Sequence, residues 1–345
     1  MVKLDDGHSA GRRATRRARR RCRAALALAC AVLATGCGGD RSIRIAAPVV
    51  LAPGLVRETS GLLVSKPFRS PESTGSLRRE FELDGSAPAA DAWARVDASG
   101  LSVGVRRHRP GVFEGYFAVT RAAYPATSVF HVQMSRERGT VASSTQTGES
   151  VFAVQTGTTK QTGAINYVVV ASVTNAGMTH WEVGYAEGHL ADARTTILWA
   201  SPATRDAPLS EDVTLRTDGR SSLVVYLGSR LVYQSDRLAM RIVAPFQPYL
   251  EVQALEIPYA ARFQDFWITR DSSLLVTGLS RGDEVTLSTA AGAEVDAVAD
   301  ASGQARLWLP LPSARGSGTL AIEHRGSQRR FPGLTYAGGD VLRVG

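Results

Sequence analysis

The sequence predicts an all-β protein: a larger antiparallel sandwich followed by a smaller β-sandwich. Three observations carry this. From Leu77 onward, apolar and polar residues alternate with period two in short runs such as LSVGVR, GYFAVT, INYVVVASV and SLVVYLG. A period of two is what half-buried strands require. Gly, Asp and Ser punctuate the runs at short intervals, as in DASG (97–100), TDGRS (217–221) and LGSR (227–230). Glycine reaches positive φ without strain, so these pairs suit tight hairpins. No long stretch carries a convincing helical period.

Taken in chain order, residues 1–36 read as a targeting segment and 37–75 as a tether with one edge strand, its short apolar pieces interrupted by Pro48, Pro53, Pro67 and Pro71. Residues 76–260 form the larger unit, which YLEVQALEIPYA closes. Residues 261–345 restart at FQDFWITR and end in TLAIEHRG and the strand after it. Their alternation, with turns every 8–12 residues, fits a seven-strand immunoglobulin-like sandwich.

The N-terminus holds Arg12, Arg13, Arg16, Arg17, Arg19, Arg20, Arg21 and Arg23, then the apolar run AALALACAVLA. That run is shorter than the ~20 residues a membrane-spanning helix needs. A basic stretch, a short apolar core and small residues mark a secretory signal. The small residues end in Leu33-Ala34-Thr35-Gly36 before Cys37, which resembles the lipobox of bacterial lipoproteins, although the leucine stands four places before the cysteine and three is usual. The resemblance implies cleavage before Cys37 and acylation of its thiol. The chain would then be exported and lipid-anchored to the cell envelope without spanning the membrane. With Gly38 next, the outer membrane is implied if the host has one.

Cleavage also changes the charge argument. The whole chain is +8, but nine of its 40 Lys+Arg and two of its 32 Asp+Glu lie in residues 1–36, leaving 31 against 30. A near-neutral body excludes nucleic acid as a partner. Cysteine does not occur after Cys37, so the body has no disulfide and no cysteine-based zinc site. No cofactor is expected, although the Asp-containing turns leave calcium open.

The stretch VTLRTDGRSSLVVYLGSRLVYQSDRLAM (213–240) resembles the hairpin rhythm of concanavalin A-like jelly rolls, the lectin, glucanase and laminin-G-like folds. The resemblance covers about residues 77–258. It implies two packed antiparallel sheets, one concave and often ligand-facing. Fold does not settle function.

Catalytic motifs are absent from the sequence. There is no Glu-x-Asp-x-x-Glu strand, no Gly-x-Ser-x-Gly elbow and no phosphate loop. Strand parity instead suggests a polar face. His131 and Gln133 alternate with Phe130, Val132 and Met134; Glu182 alternates with Trp181 and Val183; Glu251 and Gln253 alternate with Leu250, Val252 and Ala254. Asn166 leads the face of Val168 and Val170, and Tyr116 offers a ring. These seven residues are the expected ligand-binding set. Planar amide, imidazole and carboxylate groups beside a ring suit a polysaccharide or envelope glycan. A solvated sheet face would also be polar. The reading is therefore a membrane-anchored glycan-binding module, with a lyase or hydrolase and a protein-interaction scaffold as alternatives.

Overall fold

The computed structural model describes residues 47–345 apart from 107–110, 139–144, 159–163, 190–193 and 239–245. The signal segment and Cys37 lie outside the described residues. The expected all-β fold is present.

Three short strands come first: β1 (Val49–Ala52), β2 (Leu55–Thr59) and β3 (Leu62–Lys66). A helix of about two turns follows, α1 (Thr74–Glu80), capped by Ser73 Oγ, which accepts from Ser76 N–H at 3.1 Å. It buries Leu77 and ends where Phe81 turns extended. The segment RREFEL is thus not one strand, because its first three residues complete the helix.

Fourteen strands build the larger sandwich. They are β4 (Phe81–Gly85), β5 (Ala92–Asp97), β6 (Gly100–Val105), β7 (Phe113–Thr120), β8 (Val129–Arg138), β9 (Thr147–Thr158) and β10 (Ala164–Asn175), then β11 (Met178–His189), β12 (Arg194–Ala200), β13 (Ser210–Thr217), β14 (Leu223–Leu227), β15 (Arg230–Ser235), β16 (Gln247–Leu255) and β17 (Tyr259–Thr269). One sheet runs in the order β12-β11-β10-β9-β16-β7-β4, the other β15-β14-β13-β8-β17-β6-β5, with β3 added against β17. All of these pairings are antiparallel. The chain crosses repeatedly between the sheets, the habit of a jelly roll. Between them lies one apolar core, which takes Phe130, Val132 and Met134 from β8, Phe152 and Val154 from β9, and Leu250, Val252 and Ala254 from β16. Fully burying side chains of this size stabilises by about 1.5–3 kcal/mol each.

The smaller sandwich contains β18 (Ser273–Thr277), β19 (Glu284–Thr289), β20 (Glu294–Val298), β21 (Ala305–Trp308), β22 (Arg315–His324), β23 (Ser327–Ala337) and β24 (Val341–Val344). One sheet has the order β20-β19-β22-β23, the other β1-β2-β24-β18-β21, with β18 and β24 parallel. This order hairpins β19 with β20 and β22 with β23; in an immunoglobulin domain the third and sixth strands leave for the opposite sheet.

Two expected boundaries move. The described part of the expected tether (37–75), from residue 47 on, is not a simple tether: β1 and β2 close the smaller sandwich, where Leu55 joins its core, and β3 pairs with β17. The boundary at 260 falls inside β17, which sits centrally in the larger sandwich with Phe263, Phe266 and Ile268 fully buried. After β1 and β2, the smaller unit therefore resumes at Ser273. Strand alternation reveals neither fact, because the partners that claim β2 and β17 are far away in sequence.

Candidate functional site

The seven-stranded sheet turns one face to the inter-sheet core and the other away from it, and most of this second, outward-pointing face is also buried. The outward face can be read from the register. Asp84, Phe117, Glu251, Val151, Ala171 and Glu182 lie in one row across β4, β7, β16, β9, β10 and β11. A neighbouring row holds Gly115, Gln253, Glu149, Val173 and His180. The next row on the other side brings Val119, Tyr249, Ala153 and Val169.

Three of the seven expected residues meet on this face. Glu251 and Gln253 are neighbours on β16, and Gln253 Nε2 donates to Glu251 Oε1 at 3.0 Å. Each is only 1% exposed. Burial, which penalises the charged carboxylate, pushes Glu251 up to about 8, against a smaller downward pull from Gln253. At neutral pH Glu251 is thus largely a neutral acid. Gln253 Oε1 has no hydrogen-bond partner in its buried position. Gly115 makes room for the pair, since a Cβ there would stand 3.0 Å from Glu251 Oε1. Glu182 Oε1, from the third residue, accepts from His180 Nε2 at 2.8 Å. It lies in the row of Glu251, three strands and about 14 Å away.

The expected set leaves out the rest of the face, although alternation along YLEVQAL already puts Tyr249 on the side of Glu251 and Gln253. Tyr249 packs against Phe117, with ring centroids 5.2 Å apart, and edge-on to Tyr167 at 5.9 Å. Its hydroxyl donates to Gln155 Oε1. Glu149 stands directly opposite Gln253, and so diagonal to Glu251 at about 7–8 Å between Cα atoms. The signal was available: TGESVFAVQ alternates Glu149, Val151, Ala153 and Gln155 on one side.

The other four expected residues are elsewhere. Tyr116 points into the core with Ala118 and Val252, and burial raises its phenol. Asn166 is buried on the core-facing side of β10 with Val168 and Val170. Neither is on the outward face; both faces of β7 and β10 are apolar, so alternation there does not mark an outside. His131 and Gln133 do face outward, but from β8, in the opposite sheet. Gln133 Nε2 donates to Asp212 Oδ1 at 3.2 Å. His131 Nδ1 is 2.8 Å from Thr214 Oγ1, and its ring stacks on Trp267 at 4.5 Å and 10°. Burial, with the Arg315 charge second, drops the imidazole to about 3. The seven residues thus do not form one groove.

The aspartate turns have internal explanations. Asp218 Oδ1 accepts from the N–H groups of Arg220, Ser221 and Ser222 at 2.8–2.9 Å. Asp300 Oδ1 does the same for Ser302 and Gln304. Among the described residues, no three His, Cys, Asp or Glu side chains come together as a metal site. No described helix is long and apolar enough to cross a membrane.

No family model matches the chain, and no curated protein matches it. Among solved structures, the Emp46p carbohydrate recognition domain in its potassium-bound form aligns with TM-score 0.43 and 9% identity, over 61% of this chain and 97% of that one. A non-specific endo-β-1,3(4)-glucanase from family GH16 aligns with TM-score 0.40 and 9% identity, over 64% and 93%. An endo-acting O-glycanase of human gut microbiota aligns with TM-score 0.40 and 8% identity, over 60% and 98%. With TM-scores below 0.5, these likenesses carry no argument about what this chain does.

Proposed function

We propose that the protein is an exported, lipid-anchored envelope protein that binds an uncharged glycan on the outward face of the seven-stranded sheet without cleaving it. One observation carries the binding: the Glu251–Gln253 pair beside the rings of Tyr249 and Phe117. A neutral carboxylic acid donates one hydrogen bond, and the buried, unpartnered Gln253 oxygen accepts one. A sugar presents the matching donor–acceptor hydroxyls. The His180–Glu182 pair extends the polar row toward the edge of the sheet. The lipid anchor rests on Cys37 and the basic, apolar leader before it.

The test uses the full-length protein in mild detergent on a panel of neutral envelope and plant polysaccharides, scoring both retention and new chain ends. Retention without cleavage is expected, lost in Glu251→Ala/Gln253→Ala. The absence of retention across the panel would overturn the reading. The appearance of new ends would replace it with hydrolysis, for which a protonated Glu251 and a diagonal Glu149 are the matching acid and second carboxylate. For the anchor, Cys37→Ser is expected to move the protein from the membrane to the soluble fraction.

A further inference from the structure

A second polar site opens where the two sandwiches meet, on the sheet opposite the Glu251 face. It is a cleft of ≈ 570 Å³, lined by Arg57, Asp265, Trp267, Arg315, Ser317 and Thr335 among others. That volume falls in the range of small-ligand pockets.

Its geometry is specific. Along β17 the register with β8 passes from Gln264↔Gln133 to Trp267↔His131. Two residues of β17 thus oppose one of β8, which is a β-bulge. The bulge keeps Phe266 in the core and turns Asp265 out, at 45% exposed, with φ +44. A non-glycine residue held in this region is strained, and such strain clusters at functional positions. Trp267, 3% exposed, forms the floor and is braced from behind by His131.

The two arginines differ. Arg57 is committed: its Nε lies 3.0 Å from Asp340 Oδ2 and its Nη2 donates to Thr335 O. Arg315 faces Asp265 with Nη1 3.6 Å from Oδ1, too long for a hydrogen bond. Its planar fork of donors is therefore loosely held at the cleft, in a shape that matches a carboxylate.

We propose that this cleft binds a carboxylate-bearing saccharide, the uronic-acid unit of an acidic polysaccharide. Arg315 takes the carboxylate. Asp265, Ser317 and Ser60 meet the ring hydroxyls, and Trp267 supplies the apolar floor. A phosphate fits less well, because its second negative charge would face Asp265 and Asp340. The choice of a sugar as the ligand class rests on the glycan reading above, but the site and its residues are separate.

The test is titration of full-length protein in mild detergent with oligogalacturonate and, in parallel, with a neutral β-glucan oligosaccharide. Wild type is expected to bind oligogalacturonate. Arg315→Ala is expected to weaken that binding about tenfold or more, the loss of one charge-assisted bidentate contact, and Arg315→Lys to recover part of it. Asp265→Asn removes the competing and repelling carboxylate, so it is expected to tighten binding, which a merely structural role would not do. Glu251→Ala/Gln253→Ala should leave oligogalacturonate binding unchanged. If wild type does not bind oligogalacturonate, or Arg315→Ala binds it equally, or Asp265→Asn weakens it, the proposal is overturned. Loss of neutral-glycan binding alone would sink the Glu251 reading and leave this one standing.

Discussion

The Gly61 N–H donates to Asp340 Oδ1 at 2.6 Å across 279 residues of chain. Asp340 is 1% exposed and also accepts from Ala337 N–H at 3.0 Å and pairs with Arg57. One carboxylate therefore fastens the start of the described chain to its end, just where β2 joins β24.

Replacing that carboxylate should loosen both ends. Asp340→Ala leaves two backbone donors and a guanidinium without their acceptor in a buried site, at a cost on the order of 3–5 kcal/mol. Gly61→Ala attacks the same joint sterically, because its Cβ would fall 2.2 Å from Gly338 O. Denaturant unfolding should show both losses. Hydrogen exchange should rise first in β1, β2 and β24; uniform protection there would contradict the clasp.

Glu251 predicts a pH dependence on the alkaline side. Its folded value, about 8, lies above its ordinary 4.5. Between these values the folded state holds the proton and the unfolded state does not, so stability falls as pH rises from about 4.5 to about 8. By linkage the span amounts to roughly 5 kcal/mol. Glu251→Gln keeps a neutral donor and acceptor, so it should remove this slope while leaving neutral-glycan binding near pH 7 intact. An unchanged slope would show that Glu251 is ionised in the fold.

His131 predicts the opposite slope in acid. Its folded value, about 3, lies below its ordinary 6.5. Between them the unfolded state binds the proton, so stability is lost as pH falls from about 6.5 toward 3. His131→Gln, which can keep a bond to Thr214, should flatten that limb in thermal unfolding scans between these pH values.

Gly115 predicts a steric effect on the Glu251 face. Gly115→Ala places a Cβ 3.0 Å from Glu251 Oε1 and 3.1 Å from Val252 O. Overpacking of this kind costs about 1–3 kcal/mol. Neutral-glycan retention should drop while oligogalacturonate binding, on the other sheet, stays as in wild type.

Local parity was legible without coordinates. Phe130, Val132 and Met134 do fill the core and His131 and Gln133 do face out; Leu250, Val252 and Ala254 do point in and Tyr249, Glu251 and Gln253 out. Parity was ambiguous in β7, where all eight residues are buried. Apolar side chains on both sides of the strand hide which way Tyr116 points.

What the sequence determined by itself was the all-β class, the hairpin turns and the inward or outward phase of most strands, because these depend on backbone preferences and on alternation over a few residues. Only the tertiary structure decided which sheet each strand joins. That choice separates His131 from Glu182, moves β17 into the larger sandwich and seats β1 and β2 in the smaller one. The physical reason is that strand pairing is made by backbone hydrogen bonds that every residue type offers equally, so a strand's partner, often more than a hundred residues away, leaves little mark on its own side chains.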